Sequence, residues 1–185
     1  MLADIIKDAE SKMAGAIDYA KQDLQTIRTG RAHPDMFSKL LAVYYGTPTP
    51  LQQLVTFQSP EARTMLITPF DQSALAAVER AIRDSDLGVA PSNDGHSIRV
   101  VLPELTEERR KEFTKLARAK AEEAKVAIRN IRRHSNDQVK KLEKDKEIGE
   151  DEAKRAEKQL DDATKKAIDQ VDALLKTKES ELMAV

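Results

Sequence analysis

The sequence predicts an α+β protein in which a three-helix bundle, built from both ends of the chain, carries an inserted small α/β domain. Stretches with helical periodicity occupy the N-terminus and the whole C-terminal half. Six of the seven prolines lie between Pro34 and Pro91, and the seventh, Pro103, closes that middle segment. Charged residues make up 34% of the chain and aromatic residues 4%, a composition typical of long, solvated helices.

The first helix is predicted from an apolar stripe near the N-terminus. The stripe recurs at three- and four-residue steps, at Ile6, Ala9, Met13, Ile17, Ala20, Leu24 and Ile27. Gly30 is the expected stop, because glycine reaches the left-handed conformation without steric cost.

The second helix is predicted from residue 106 to residue 146, with Thr106 as its N-cap. At 1.5 Å per residue it would be roughly 60 Å long. Its expected apolar face is Phe113, Leu116, Ala117, Ala124, Ile128, Ile131 and Leu142. The third helix should follow a turn at Gly149 and bury Ala153, Ala156, Leu160, Ala163, Ala167, Val171 and Leu174.

The middle segment reads as short strands and one short helix. Runs with β-forming residues lie at 40–45, 54–58, 64–68 and 98–102, and a helix is expected over 72–84. The residues from Gly46 to Pro50 are predicted to form a turn, because proline cannot donate to a ladder. Tyr44, Tyr45 and Phe57 are interpreted as core residues of the strands.

The domain boundaries follow from these elements. Residues 1–30 and 105–185 should form the bundle, and residues 31–104 the inserted domain. The chain crosses between them twice, and the two adjacent crossings predict a hinge, although a rigid interface is equally compatible with the sequence. The hinge residues are Gly30, Arg31, Pro103, Glu104 and Leu105.

Several functional classes have no support in the sequence. The absence of cysteine excludes disulfides, thiolate nucleophiles and cysteine-ligated metals. The three histidines have no metal-ligand spacing, and no phosphate-binding glycine loop or nucleophile elbow is present. We therefore expect no enzyme activity and no cofactor. No signal peptide or membrane-spanning stretch is found, which predicts a soluble cytoplasmic protein.

A basic face on the second helix is the strongest functional signal. Residues 107–146 carry a net charge of +6, whereas residues 147–185 carry −4. At 100° per residue, eight cations fall within roughly one hundred degrees of arc. They are Lys111, Lys115, Arg118, Lys125, Arg129, Arg132, Arg133 and Lys140.

These cations are expected to face outward together and away from the apolar stripe of the helix. Between Lys111 and Lys140, Glu122 is the only acid in the arc, and no carboxylate lies near 129–133 in the sequence. Arginine's planar fork suits phosphate oxygens, so the face predicts RNA binding through the backbone and shape of the RNA. A solvated helix face remains the alternative for the charges. For the whole protein, the alternative is a helical RNA-binding protein or a coiled-coil adaptor.

Several motifs, in order, resemble signature stretches of the bacterial ribosome recycling factors. They are Ile27-Arg28-Thr29-Gly30-Arg31-Ala32, Tyr44-Tyr45-Gly46-Thr47-Pro48-Thr49-Pro50-Leu51, Ser85-Asp86-Leu87-Gly88, Ile98-Arg99-Val100, Leu105-Thr106-Glu107-Glu108-Arg109-Arg110-Lys111 and Val126-Ala127-Ile128-Arg129-Asn130-Ile131-Arg132-Arg133. The resemblance extends from about residue 2 to residues 179–182.

The resemblance implies an L-shaped, tRNA-like molecule with a hinged second domain. It also implies a factor that, with elongation factor G and GTP, disassembles the post-termination ribosome and frees mRNA and tRNA. The family's arginines that bind large-subunit rRNA match Arg110, Arg129 and Arg132. Arg133, Lys111, Arg118 and Lys125 join them only from the helical wheel. We expect a monomer with the ribosome and elongation factor G as partners.

Overall fold

The structure is a computed structural model that describes residues 1–184. Long helices make up both ends of the chain, and short strands fill the middle, so the predicted α+β class is confirmed. In chain order the elements are α1 (Leu2–Gln25), β1 (Leu41–Tyr44), β2 (Thr47–Pro50), β3 (Val55–Glu61), β4 (Thr64–Pro69), α2 (Leu75–Arg83), β5 (Ser92–Asn93), β6 (Ile98–Val101), α3 (Glu107–Lys144) and α4 (Glu150–Met183).

By their contacts, these elements divide into two compact units. The first unit comprises Met1–Leu24 and Thr114–Ser180, and the second comprises Gln25–Phe113 with residues 181–184. All five predicted hinge residues belong to the second unit. The domain boundaries near residues 30 and 105 stay predictions.

The first unit is a helical bundle in which α1, α3 and α4 pack together around small side chains. One cluster contains Met13, Ala20, Ala121, Ala124, Ile128, Ala167 and Val171, and a second contains Ala9, Val139, Ala153, Ala156 and Leu160. Seven of these twelve residues are alanines, which let helix axes approach closely. The bundle predicted from the periodicity is confirmed.

Side chains cap the N-termini of two of the long helices. The backbone N–H of Arg109 donates to the Thr106 hydroxyl at 3.1 Å, so the predicted N-cap of α3 is confirmed. At the start of α4, the Glu152 carboxylate accepts from the backbone N–H of Gly149 at 3.4 Å. Both bonds satisfy N–H groups that a helix terminus leaves unpaired.

The predicted end of the first helix at Gly30 is wrong. Helix α1 ends at Gln25, and Gly30 does not adopt a positive φ. The reason is tertiary: Ile27 and Arg28 are 3% and 8% exposed, and both belong to the second unit. Burial in that unit outweighs the continuation of the helix.

The second unit is built on two antiparallel sheets. Strands β1 and β2 form a hairpin, and a four-stranded sheet has the order β3-β4-β6-β5. Strand β4 pairs with both β3 and β6 and is buried along most of its length. The core of this unit is large and apolar; its fully buried side chains include Phe37, Leu51, Met65, Ile67, Val78, Ile82, Ile98, Val100 and Leu102.

The β1–β2 hairpin corrects two expectations. The turn consists of Tyr45 (φ 49°) and Gly46 (φ 77°), and Pro48 and Pro50 lie in β2 opposite Val43 and Leu41. A type I′ turn needs positive φ at both central residues, and proline is tolerated in an edge strand. The turn is thus shorter than predicted. Tyr45 is 82% exposed and is not a core residue.

Its neighbour Tyr44 anchors the hairpin instead. The Tyr44 hydroxyl donates to the Asp71 carboxylate at 2.7 Å, and Asp71 also accepts from the backbone N–H of Ser73. The bond with Asp71 raises the pKa of Tyr44 to about 12. The same bond, with that from Ser73, lowers the pKa of Asp71. The hairpin is therefore tied to the segment that leads into α2.

The periodicity predicts Leu116 on the apolar face of α3, but this residue is 45% exposed. Leu116 immediately precedes the buried Ala117. Its side chain is therefore rotated by about 100° around the helix from that of Ala117 and lies outside the row of alanines that packs against the other helices. In contrast, Leu160 on α4 is fully buried.

We therefore expect Leu160→Ala to lower the free energy of unfolding by about 2–5 kcal/mol, because it removes buried methyl groups and leaves a cavity. The matched Leu116→Ala should change it by no more than about 0.5 kcal/mol. Urea unfolding followed by far-UV circular dichroism measures both. Equal losses would contradict the packing described for α4.

Candidate nucleic-acid interface

The candidate interface lies on α3, which carries all eight cations of the predicted basic face. The eight do not share one environment. Because successive residues are about 100° apart, Arg132, Lys125 and Arg118 lie on the edge of the arc nearer the buried seam, and Lys115 and Arg133 lie on the far edge. The structure divides the face along this line.

The cations of the near edge are paired with carboxylates of α4. Arg118 Nε lies 3.0 Å from Glu179 Oε1, Arg132 Nη1 lies 3.9 Å from Asp161 Oδ1, and Lys125 pairs with Asp172. The expectation that the whole face points outward without nearby carboxylates is therefore wrong. The cause is the close approach of α4, which cannot be deduced from the sequence of α3 alone.

Arg129 is paired within its own helix. Its Nη1 lies 3.3 Å from Glu122 Oε1, two turns earlier, and its side chain is 42% exposed. Glu122 is the acid that the sequence placed inside the arc. Both partners reach solvent, so the pair is weak and can rearrange when an anion competes for the guanidinium.

The cations of the far edge are open. Lys115, Arg133 and Lys140 are exposed, and no carboxylate of residues 1–184 forms an ion pair with any of them. Of the seven predicted binding residues, Arg133 is thus the one most available to an incoming anion.

Arg132 is held by an ion pair but still has a hydrogen-bond donor without a partner among the described residues. Its side chain is 38% exposed and its ion pair with Asp161 is long, at 3.9 Å. Its Nε is buried and has no hydrogen-bond partner among the described residues. A guanidinium carries five N–H donors in a rigid fork, and this one is held in place while part of that capacity remains unused.

Arg110 and Lys111 occupy the first turns of α3, in the second unit. Arg110 is partly buried. The Lys111 side chain is 78% exposed and pairs with Glu107 at 3.6 Å, four residues earlier. This is a surface pair of the weak i, i+4 kind.

The acidic partners on α4 are not evident from the sequence of α3. Asp161, Asp172 and Glu179 pair with Arg132, Lys125 and Arg118, and so they decide which cations of α3 are open. A usable signal existed, because net charges of +6 and −4 on two consecutive helices that must pack together predict ion pairs between them.

Metal-binding and membrane-spanning features complete the description of the chain. Within residues 1–184, no group of three or more His, Cys, Asp or Glu side chains is arranged to hold a metal ion. None of the helices described there has the length and apolar character that crossing a membrane requires.

A family model for ribosome recycling factor matches residues 20–183. The chain belongs to the ribosome recycling factor family. Ribosome-recycling factors of Cutibacterium acnes and Kocuria rhizophila are 64% and 61% identical to it, over 100% and 99% of both chains. The family consists of translation factors rather than enzymes, which confirms that part of the prediction.

Solved structures agree with this membership. A solution structure of a ribosome recycling factor superimposes with a TM-score of 0.81 at 41% identity, covering 100% of this chain and 98% of the other. A second structure contains the T. thermophilus ribosome recycling factor and the E. coli elongation factor G bound to the E. coli post-termination complex. Its matching chain has a TM-score of 0.72 at 42% identity, with full coverage of both. The fold is therefore that of the family.

Proposed function

We propose that this protein, with elongation factor G and GTP, disassembles the post-termination ribosome and frees mRNA and tRNA for reuse. The observation that carries the proposal is full-length similarity to ribosome-recycling factors, at 64% identity over 184 residues. A 42% identical relative is bound with elongation factor G to a post-termination complex. We propose that the chain works as a monomer in the cytoplasm.

The proposed chemistry of binding is ionic. Arg110, Arg129 and Arg132 would contact large-subunit rRNA, as the family resemblance implies, and Arg133, Lys111, Arg118 and Lys125 would add positive charge. Surface ion pairs are worth about 0–1 kcal/mol, so phosphate oxygens can replace the carboxylates of α4 at little cost. The open far edge supports the proposal, because Arg133 can attract the RNA before any pair has to break.

The proposed mechanism is mechanical. GTP hydrolysis belongs to elongation factor G, and this chain contributes binding and movement. Gly30 and Arg31 on one crossing, with Pro103, Glu104 and Leu105 on the other, would flex together as a hinge. Movement of the inserted domain would then disrupt contacts between the ribosomal subunits while the basic face of α3 stays bound.

Recycling itself is tested by light scattering of purified post-termination ribosomes. We expect scattering to fall only when this protein, a matched elongation factor G and GTP are all present, because separated subunits scatter less light than whole ribosomes. An unchanged signal, with ribosome binding confirmed by sedimentation, would instead support a helical RNA-binding or adaptor protein without recycling activity.

Replacement of Arg132 tests the rRNA contact. We expect Arg132→Ala to weaken ribosome binding and to lower the slope of log affinity against log salt by about one, the change for one phosphate contact. Arg155→Ala is the matched control, because Arg155 is an exposed arginine on α4 outside the basic face. If both variants kept the affinity and slope of the unchanged protein, Arg132 would not be a contact residue.

A cross-link between the crossings tests the hinge. The chain contains no cysteine, so Arg31→Cys with Glu104→Cys provides two unique thiols for a cleavable bifunctional maleimide. We expect the linked protein to bind ribosomes but not to split them, and cleavage of the linker to restore splitting. Splitting by the intact linked protein would refute the hinge.

A further inference from the structure

Arg28 belongs neither to the basic face of α3 nor to the five predicted hinge residues. It follows α1, in the second unit, and is only 8% exposed. Arginine is rarely buried to this extent unless it is paired. The position therefore needs a physical reason.

The guanidinium of Arg28 joins the two chain crossings. Its Nη2 donates to the backbone carbonyl of Pro103, 75 residues further along the chain. Backbone hydrogen bonds also hold the chain on either side of this bond. The Leu102 N–H donates to the Arg63 carbonyl at 2.7 Å, and the Ala32 N–H donates to the Ala62 carbonyl at 2.7 Å. Arg28 thus links the chain next to the first crossing directly to the second.

This arrangement is electrostatically unfavourable for Arg28. No carboxylate of residues 1–184 pairs with it, and its buried Nε has no partner among those residues. Burial lowers the pKa of Arg28, and the positive charges of Arg109 and Arg63 lower it further. A buried charge without a counter-ion costs folding free energy, and an apolar replacement is often neutral or stabilising. Stability alone does not account for an arginine here.

We propose that Arg28 is a positioning residue for ribosome disassembly, a releasable latch that holds the two crossings together through the Pro103 carbonyl. The inference rests on the proposed function of the crossings as a hinge. A neutral carbonyl as the partner lets the bond break during movement more readily than a buried carboxylate would. The latch keeps the crossings in one arrangement until force is applied, and then lets them move.

Three variants test the latch. Arg28→Met removes the charge and the donors but keeps a long unbranched side chain, and Arg28→Lys keeps a charged donor. Arg99→Met is the control, because Arg99 is an exposed arginine on β6 of the same unit. The measurements are backbone hydrogen exchange, urea unfolding, and splitting rates at increasing concentrations of the factor.

We expect Arg28→Met to speed exchange of the Leu102 N–H by about tenfold, the effect of losing one hydrogen bond to a charged group. Its maximal splitting rate should fall by about the same factor, while the concentration giving half that rate stays constant. Its free energy of unfolding should not fall. Arg28→Lys should restore at least part of the splitting rate, and Arg99→Met should match the unchanged protein.

Three results would overturn the latch. They are splitting by Arg28→Met at the unchanged rate, unchanged exchange at Leu102, or loss of splitting in step with loss of stability without rescue by lysine. If the unsubstituted protein failed to split ribosomes with elongation factor G and GTP, the proposed function itself would fail. If it split them and Arg28→Met did so equally well, only the latch would fail.

Discussion

The close packing of α3 against α4 through alanines is the constraint on which the candidate interface depends. Small side chains at Ala121, Ala124 and Ala167 bring the helices together. At that separation the carboxylates of α4 reach the near edge of the basic face, and the far edge stays open. Larger residues in the seam would move the acids away from the cations. The apolar core of the first unit therefore decides which charges are available for binding.

The division of the basic face has a physical advantage for a factor that must bind and then leave. In the proposed complex, open cations would attract the RNA from a distance, and this steering would be strongest at low salt. Paired cations such as Arg132 are already held in position, so they would lose less side-chain entropy on exchanging the carboxylate for a phosphate. On departure of the RNA, the α4 carboxylates would pair with these cations again. Because each cation exchanges one anionic partner for another, such binding is reversible. Binding through unpaired buried charges would lack this reversibility.

Much of the fold followed from local patterns, and the failures share one cause. The 3.6-residue period located all three long helices, and Thr106 marked the start of α3 because capping is a local interaction. The end of α1, the exposure of Leu116 and the partners of Arg132 depended on tertiary contacts that no single segment contains. The β2 strand was missed because an edge position tolerates the prolines that argue against a strand. For the site, the sequence supplied the cations but not the acids that divide them.

The groups with shifted pKa values in this protein fit a mechanical function. Strongly shifted pKa values often mark catalytic sites, yet here the raised pKa of Tyr44 belongs to a hydrogen bond that anchors a hairpin. The lowered pKa of Arg28 arises from burial next to like charges, at a bond between two backbone crossings. Neither group is placed to exchange a proton with a substrate. The Arg28 bond instead holds two backbone segments together without a counter-ion among the described residues, which is the arrangement that the proposed latch requires.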